Sequence, residues 1–157
     1  MSQETYSLLL KQCEALIESE YDYIANAANI SSLLYNNLDK VNWVGFYFLR
    51  EGELVLGPFC GQPACTRIPV GSGVCGTAFA QKQTQLVEDV HAFAGHIACD
   101  AASESEVVVP FETEQVSGVF DIDSPVLARF GAMEGRFFEQ IVELYCARLN
   151  YRVSSDS

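Results

Sequence analysis

The sequence has few basic residues. Lys and Arg total 9 against 21 Asp and Glu, so the formal net charge of the 157-residue chain is −12 at pH 7. Binding to nucleic acid or anionic membranes needs a basic surface, and we expect neither partner. No apolar run reaches the ~20 residues of a membrane helix. The N-terminal MSQETY lacks a signal peptide's basic and apolar segments, so we expect a cytoplasmic protein.

Internal repeats, low-complexity stretches and Pro/Gly-rich linkers are also lacking. Hydrophobic residues make up 49% of the chain and charged residues only 19%, which favours a folded chain over a disordered one. A chain of this length fits one domain with one sizeable core. We therefore expect a single domain over 1–152 and a flexible tail over 153–157.

The hydrophobic periodicity changes along the chain, from helical to extended and back. Helical spacing of apolar residues predicts helices over 3–18, 22–38 and 130–150. The predicted apolar stripe of the first includes Tyr6, Cys13, Leu16 and Ile17, and that of the second starts from Ile24. Aromatic and β-branched runs predict strands over 41–50, 54–59, 107–111 and 116–122. The middle, 60–103, is interpreted as loop-rich, with one short helix near 74–82 and a short strand near 84–87. This order predicts an α+β fold with helices against an antiparallel sheet.

The six cysteines need separate interpretations, because cytosolic thiols stay reduced and rarely form structural disulfides. Cys13 and Cys146 lie on apolar helix stripes and are interpreted as small buried hydrophobes. Cys65, Cys75 and Cys99 lie in the loop-rich centre, where no periodicity gives them a core position. Cys60 ends a strand, and its role stays open.

The central cysteines are better explained by redox chemistry than by a metal. Together with Cys60 they are spaced x4, x9 and x23, without the C-x2-C knuckle of zinc sites. A sulfenic acid on one thiol needs a nearby thiol to condense with. A neighbouring cation could lower the pKa of the Cys99 thiol. The candidates for that cation are His91, His96, Arg67 and Lys82.

Three carboxylates are predicted to share one face of a hairpin. Strand alternation places Asp121 and Asp123 on the same face. If 112–115 is a four-residue loop, Glu106 lies opposite Asp121, and like charges in that position are destabilising. An organic ammonium ligand, a shared proton, a divalent metal or simple hydration at a solvent-facing edge would each explain the cluster.

Trp43 and Tyr47 flank Gly45 on one face of the first predicted strand. Such an aromatic pair is usually part of a core, but it can also form a wall for a small apolar or sulfur-bearing group. The GSGVCG run at 71–76 matches the dinucleotide-binding pattern G-x-G-x-x-G. We interpret these glycines instead as shaping a tight loop around Cys75.

Five segments together resemble the GAF-fold free methionine-(R)-sulfoxide reductases. They are VNWVGFY at 41–47, ACTRIP at 64–69, GVCGTA at 73–78, QTQLVEDVHAFAGHIACDAAS at 83–103 and GVFDIDSP at 118–125. The resemblance covers nearly the whole chain. It implies a GAF-like fold in which an antiparallel sheet is flanked by the N- and C-terminal helices.

The resemblance also implies functions for particular residues. Cys99 aligns with the family's catalytic cysteine, and Cys65 and Cys75 with the cysteines that take part in disulfide formation. The aligned substrate-binding residues are acidic or aromatic: Glu106, Asp121, Asp123, Trp43 and Tyr47. The family is typically homodimeric and is recycled by thioredoxin, so we expect an external reductant, no cofactor and no metal.

Two other functions remain open for this sequence. One is a non-catalytic GAF sensor that binds a small ligand, and the other is a thiol-based redox sensor that signals to a partner protein. Reduction of the free sulfoxide with release of methionine distinguishes the enzyme from both.

Overall fold

One antiparallel sheet of six strands organises the chain in the computed structural model, which describes residues 1–95 and 102–150. The sheet order is β3-β2-β1-β6-β5-β4, and every neighbouring pair is antiparallel. The strands are β1 (Trp43–Arg50), β2 (Glu53–Gly61), β3 (Arg67–Pro69), β4 (Gln85–Val87), β5 (Ser105–Glu112) and β6 (Ser117–Ser124). The helices are α1 (Gln3–Ile17), α2 (Tyr23–Asn37), α3 (Gly73–Gln81) and α4 (Ala132–Asn150). The predicted α+β class and the order of the long elements are confirmed.

The sheet separates two apolar clusters, because side chains alternate between its faces. On one face, Phe46, Phe48 and Phe120 pack against α1, α2 and α4. On the other, Trp43 and Tyr47 pack with residues of the short α3. The first cluster is the larger, and it includes residues of the three long helices. The second is thin and contains the polar residues described below.

The buried stripes of the long helices agree only partly with the predicted ones. In α1, Tyr6, Cys13 and Ile17 are buried as predicted, but Leu16 is 43% exposed, so its placement on the buried stripe was wrong. In α2 the buried residues are Asn26, Ala27, Ile30, Ser31 and Leu34, whereas Ile24 is 46% exposed. The predicted stripe started from Ile24 and was wrong there, because Asp22 caps the helix and Ile24 falls in its first, outward-facing turn.

The predicted helix of 130–150 begins at Ala132, and Cys146 is half-buried against the larger cluster. Cys13 is buried, as predicted. No helix within 1–95 and 102–150 has both the length and the apolar character needed to cross a membrane.

The loop-rich interpretation of the middle missed two short elements and misplaced one cysteine. Strand β3 pairs with β2, and a 3₁₀ turn covers Val90–Ala92. The short helix predicted near 74–82 is confirmed as α3, but Cys75 within it is only 4% exposed, so the expectation that Cys75 has no core position was wrong. α3 has only nine residues, and over so short a span apolar periodicity does not indicate which face is buried. The glycine pattern at 71–76 does not join parallel strands, as it does in a dinucleotide-binding fold.

The hairpin between β5 and β6 has a different register from the predicted one. Glu112 pairs with Ser117, so the loop is 113–116 and not 112–115. Thr113 causes this shift: its Oγ1 accepts from the backbone N–H groups of Gln115 and Val116 and closes the loop one residue later. The pairing moves by two residues, which leaves every side chain on its predicted face.

Gly118 of β6 is required by the close approach of β1. A Cβ added at Gly118 would overlap the carbonyl oxygen of Tyr47, a backbone atom that cannot turn aside. We predict that Gly118→Ala destabilises the protein by about 1–3 kcal/mol, the usual cost of overpacking. Thermal unfolding would measure a fall in Tm of about 2–4 °C for each kcal/mol.

Gly131→Ala is the matched control, because a Cβ there meets only the flexible end of the Glu134 side chain, at 3.3 Å. Equal losses of Tm in the two variants would contradict the explanation.

Candidate active site

Glu106, Asp121 and Asp123 form a buried cluster that we call the acidic floor. They are 7%, 5% and 8% exposed. Their strands β5 and β6 are neighbours, and all three project from the face that carries the smaller apolar cluster. Glu106 pairs with Asp123, and Asp121 pairs with Val108. The predicted pairing of Glu106 with Asp121 was therefore wrong by two positions, but the predicted clustering on one face is confirmed.

Burial makes ionisation of the carboxyl groups in the acidic floor unfavourable. Burial, followed by the neighbouring Asp121, raises the pKa of Glu106 well above the usual carboxyl range. Burial and then Asp123 raise the pKa of Asp121 in the same way. Oδ1 of Asp121 is buried and has no hydrogen-bond partner among residues 1–95 and 102–150. Such a group attracts a cation or a hydrogen-bond donor from outside the chain. This burial also excludes the interpretation that the charges merely hydrate at an edge.

Trp43, Tyr47 and Phe59 stack together beside the acidic floor, and we call them the aromatic wall. Trp43 stacks on Phe59 with ring centroids 5.2 Å apart and on Tyr47 at 5.9 Å. The indole lies over Gly45, where an added Cβ would come within 2.7 Å of the ring. Gly45 also pairs with Asp121, so no β1 side chain covers that carboxylate from the paired position.

Hydrogen bonds fix both polar ends of this wall. Nε1 of Trp43 donates to the carbonyl oxygen of Gln62 at 3.1 Å. The hydroxyl of Tyr47 donates to the carbonyl oxygen of Cys65 at 3.1 Å. The wall thereby links the acidic floor to the segment that carries one of the predicted redox cysteines.

Cys75 contacts the acidic floor from α3. Its Sγ lies 4.0 Å from Oε2 of Glu106. Burial contributes most to raising the pKa of the Cys75 thiol, and Asp121, Glu106 and Asp123 raise it further. A thiol reacts as its thiolate, so this environment makes Cys75 a weak nucleophile.

The predicted redox cysteines differ in their state. Cys65 is half-buried and disulfide-bonded. The thiols of Cys13, Cys60, Cys75 and Cys146 are free. Cys99 and His96 lie outside the described residues.

Three of the four cations proposed from sequence as activators of Cys99 lie among the described residues, and each is close to a carboxylate. Arg67 pairs with Glu53 at 3.3 Å, and Lys82 pairs with Glu112 at 3.6 Å. His91 lies 3.4 Å from a carboxylate oxygen of Glu104, near the start of β5.

Sequence reasoning missed two parts of the site. Phe59 completes the aromatic wall, and the Gln62 carbonyl holds Trp43. Phe59 shares its face with Gly45 across the β1–β2 pair. That pairing depends on a β-bulge between Gly45 and Tyr47. The residue pattern of the two strands does not predict this bulge.

Comparison with known proteins links this geometry to well-defined relatives, although no known protein-family profile matches the chain. The chain is 56% identical over 144 residues to protein YtsP of Bacillus subtilis, covering 90% of this chain and 88% of that one. It is 52% identical over 140 residues to the free methionine-R-sulfoxide reductase of Escherichia coli, covering 88% and 85%.

Solved structures give the same result. The fRMsr of Staphylococcus aureus in complex with its substrate is 52% identical and superposes with a TM-score of 0.87, covering 92% of this chain and 95% of that one. A GAF domain structure at 38% identity has a TM-score of 0.87 and covers 95% and 89%. The fold is therefore a GAF fold, as the sequence predicts.

The charge repulsion in the acidic floor predicts a stability effect at Asp121. A carboxyl whose folded-state pKa is raised holds its proton in the folded chain after the unfolded chain has lost it. Folding stability therefore falls as the pH rises from the unfolded value, ~3.9, toward the raised folded value. We expect Asp121→Asn to raise Tm at neutral pH by about 2–4 °C per kcal/mol of relieved repulsion and to flatten the fall of Tm with pH.

Thermal unfolding of both proteins from about pH 4, the ordinary carboxyl range, upward measures the difference in Tm between Asp121→Asn and the parent protein. Glu88→Gln serves as control, since Glu88 is exposed and far less desolvated. A Tm for Asp121→Asn below that of the parent protein at neutral pH would contradict the repulsion argument.

Proposed function

Since the chain belongs to the family of free methionine-(R)-sulfoxide reductases, we propose that it reduces free L-methionine-(R)-sulfoxide to methionine. The observation in this chain that best supports the proposal is the acidic floor beside the aromatic wall. Buried carboxylates with an unpartnered oxygen suit an ammonium group. A wall of stacked rings suits a thioether or sulfoxide side chain.

The acidic floor explains a preference for the free amino acid. We place the substrate ammonium on Asp121 and Asp123 and the side chain against Trp43 and Tyr47. A methionine sulfoxide within a peptide has an amide in place of the charged amine and would leave these carboxylates unpaired. A buried polar site that is left unpaired rejects such a substrate strongly.

The first step is attack of the Cys99 thiolate on the sulfoxide sulfur, an assignment that comes from the family resemblance. The sulfur–oxygen bond of the substrate breaks, methionine leaves, and the oxygen stays on Cys99 as a sulfenic acid. The oxygen needs a proton as its bond to the substrate sulfur breaks. Glu106 suits this donation, because its raised pKa keeps the carboxyl protonated at a pH where ordinary carboxyls are ionised.

The second step is condensation of the sulfenic acid with a second thiol, which forms a disulfide and releases water. We assign this thiol to Cys65. Cys65 is disulfide-bonded, whereas Cys75 is free, buried and held in its thiol form by the acidic floor. The same contacts assign Cys75 mainly to the lining of the pocket.

An external dithiol must then reduce the disulfide and restore both thiols by exchange. We propose thioredoxin as this reductant and the cytoplasm as the compartment, where such reductants keep thiols reduced. The reaction as written needs no resident cofactor.

We also propose that the chain acts as a homodimer. The outward faces of the first two helices carry large apolar side chains with substantial exposure, namely Leu8 at 57%, Leu16 at 43% and Ile24 at 46%. A self-complementary contact would cover such side chains. Sedimentation of the parent protein and of Leu8→Lys measures whether this surface holds two copies together.

Single-turnover chemistry separates the three cysteines. Without added reductant, we expect Cys99→Ser to release no methionine from the free sulfoxide and Cys65→Ser to release one per chain. With thioredoxin as reductant, Cys75→Ser should exceed one methionine per chain, since Cys65 still forms the disulfide that thioredoxin reduces. Quantification of methionine after rapid quench measures all three.

Cys60→Ser is the control, because its thiol lies outside the acidic floor on β2. Stoichiometric methionine from Cys99→Ser would refute the assignment of the attacking thiol. A sensor without reductase activity would bind the sulfoxide and release no methionine from the parent protein either.

Recognition of the ammonium group predicts a second effect at Asp121. Asp121→Asn removes one charged partner, and hydrogen bonds to charged groups contribute about 1.5–3 kcal/mol. We therefore expect kcat/KM for the free sulfoxide to fall by about 10- to 100-fold. The N-acetylated sulfoxide lacks the charge, so its slow rate should hardly change. Equal losses for both substrates would contradict the placement of the ammonium on the acidic floor, and Glu88→Gln is again the control.

A further inference from the structure

Cys75, Glu106 and Asp121 bring three potential metal ligands together from α3, β5 and β6. The thiol sulfur and one oxygen of each carboxylate all lie within 4.8 Å of one another, and all three residues are buried. Sγ of Cys75 and Oε2 of Glu106 are 4.0 Å apart. A zinc–sulfur bond and a zinc–oxygen bond placed end to end span about 4.4 Å. The separation of these two atoms is shorter than that. One ion can therefore contact both atoms without moving the backbone.

A separate observation indicates that this group lacks a ligand. Asp121 is only 5% exposed, and within the described part of the chain its Oδ1 has no hydrogen-bond partner. None of the four ion pairs found in residues 1–95 and 102–150 involves Cys75, Glu106 or Asp121. A cation bonded to that oxygen would satisfy the acceptor and neutralise the repulsion between the carboxylates.

We propose that Cys75 Sγ, one oxygen of Glu106 and one oxygen of Asp121 bind a thiophilic divalent cation of the Zn²⁺ type. Three protein ligands leave the fourth tetrahedral position to water. A thiolate among the ligands selects Zn²⁺ over Mg²⁺ and Ca²⁺, which prefer oxygen alone. On binding, the ion displaces the protons that the thiol and carboxyl groups hold, and these pass to solvent.

This ion would occupy the place that the substrate ammonium takes, so Zn²⁺ and substrate exclude each other. The cation then acts as a competitive inhibitor and not as a catalytic metal. The competition rests on the proposed function, whereas the binding of the ion does not. The sequence led us to expect no metal, because ligands from three separate elements leave no short spacing pattern.

Cobalt provides a direct test of the sulfur ligand. In a Cys65→Ser/Cys99→Ser background, which removes the other two redox thiols, Co²⁺ should produce the near-ultraviolet charge-transfer band of a cobalt–thiolate bond. Adding Cys75→Ser should abolish the band, and adding Cys60→Ser should leave it unchanged. Zn²⁺ should displace the cobalt and remove the band. Absence of a band in the background variant, or its survival in Cys75→Ser, overturns the proposal.

Affinity measurements locate the oxygen ligands. Loss of an outer-shell partner already weakens metal sites by 10–100-fold, so Asp121→Asn should weaken Zn²⁺ binding by about 100-fold or more. Chelator competition measures this change, with Tm reporting that the variant is folded. The matched control is His91→Ala, which removes a second group of potential ligands formed by Asp89, His91 and Glu104. If His91→Ala abolishes binding and Asp121→Asn does not, the ion lies on that surface group and the proposal is wrong.

Steady-state kinetics then separates the two proposals. Zn²⁺ should raise KM for the free sulfoxide without changing kcat in the parent protein. A cobalt–thiolate band together with non-competitive inhibition would support the metal site and contradict the placement of the substrate. A protein without reductase activity would contradict the proposed function, and the cobalt band would still decide the metal site.

Discussion

Desolvation of three neighbouring carboxylates is the constraint on which the rest of the site depends. Glu106, Asp121 and Asp123 are buried on the face of the sheet that also carries the aromatic wall. Their mutual repulsion is stronger there than it would be at the surface, because the surroundings are less polarisable. Binding of a positively charged ligand relieves that repulsion. Stability and binding are therefore opposed at this site, as is common where function requires strain.

The fold holds this unfavourable cluster in place through the backbone. Antiparallel pairing of β5 with β6 places Glu106 directly against Asp123, and pairing of β6 with β1 places Asp121 against Gly45. The larger apolar cluster on the opposite face anchors the same strands to α1, α2 and α4. The stability of that cluster offsets the cost of the acidic floor, so the two faces of one sheet serve different purposes.

The sequence allowed the fold class and the faces of the strands to be predicted, because alternation in β1 and β6 is strong and local. The register of the β5–β6 hairpin was wrong by two residues, since it depends on one side chain, the Thr113 hydroxyl, that closes the loop. The short helix near 74–82 was predicted, but the burial of Cys75 within it was not. That burial depends on contact between α3 and strands far away in the chain. Phe59 was missed because its place in the wall depends on a bulge in the β1–β2 pairing.

The register of that hairpin has a consequence for sequence divergence within the family. A change that lengthens or shortens a strand by two residues preserves the chemistry of each face, as the difference between the expected and observed pairing of Glu106 illustrates. An insertion of one residue within β6 would instead turn Asp121 and Asp123 toward the phenylalanine-rich side, where charge cannot be tolerated. Insertions and deletions should accordingly accumulate in the loop at 113–116, and β6 itself should keep a constant length between its first residue and its acidic pair.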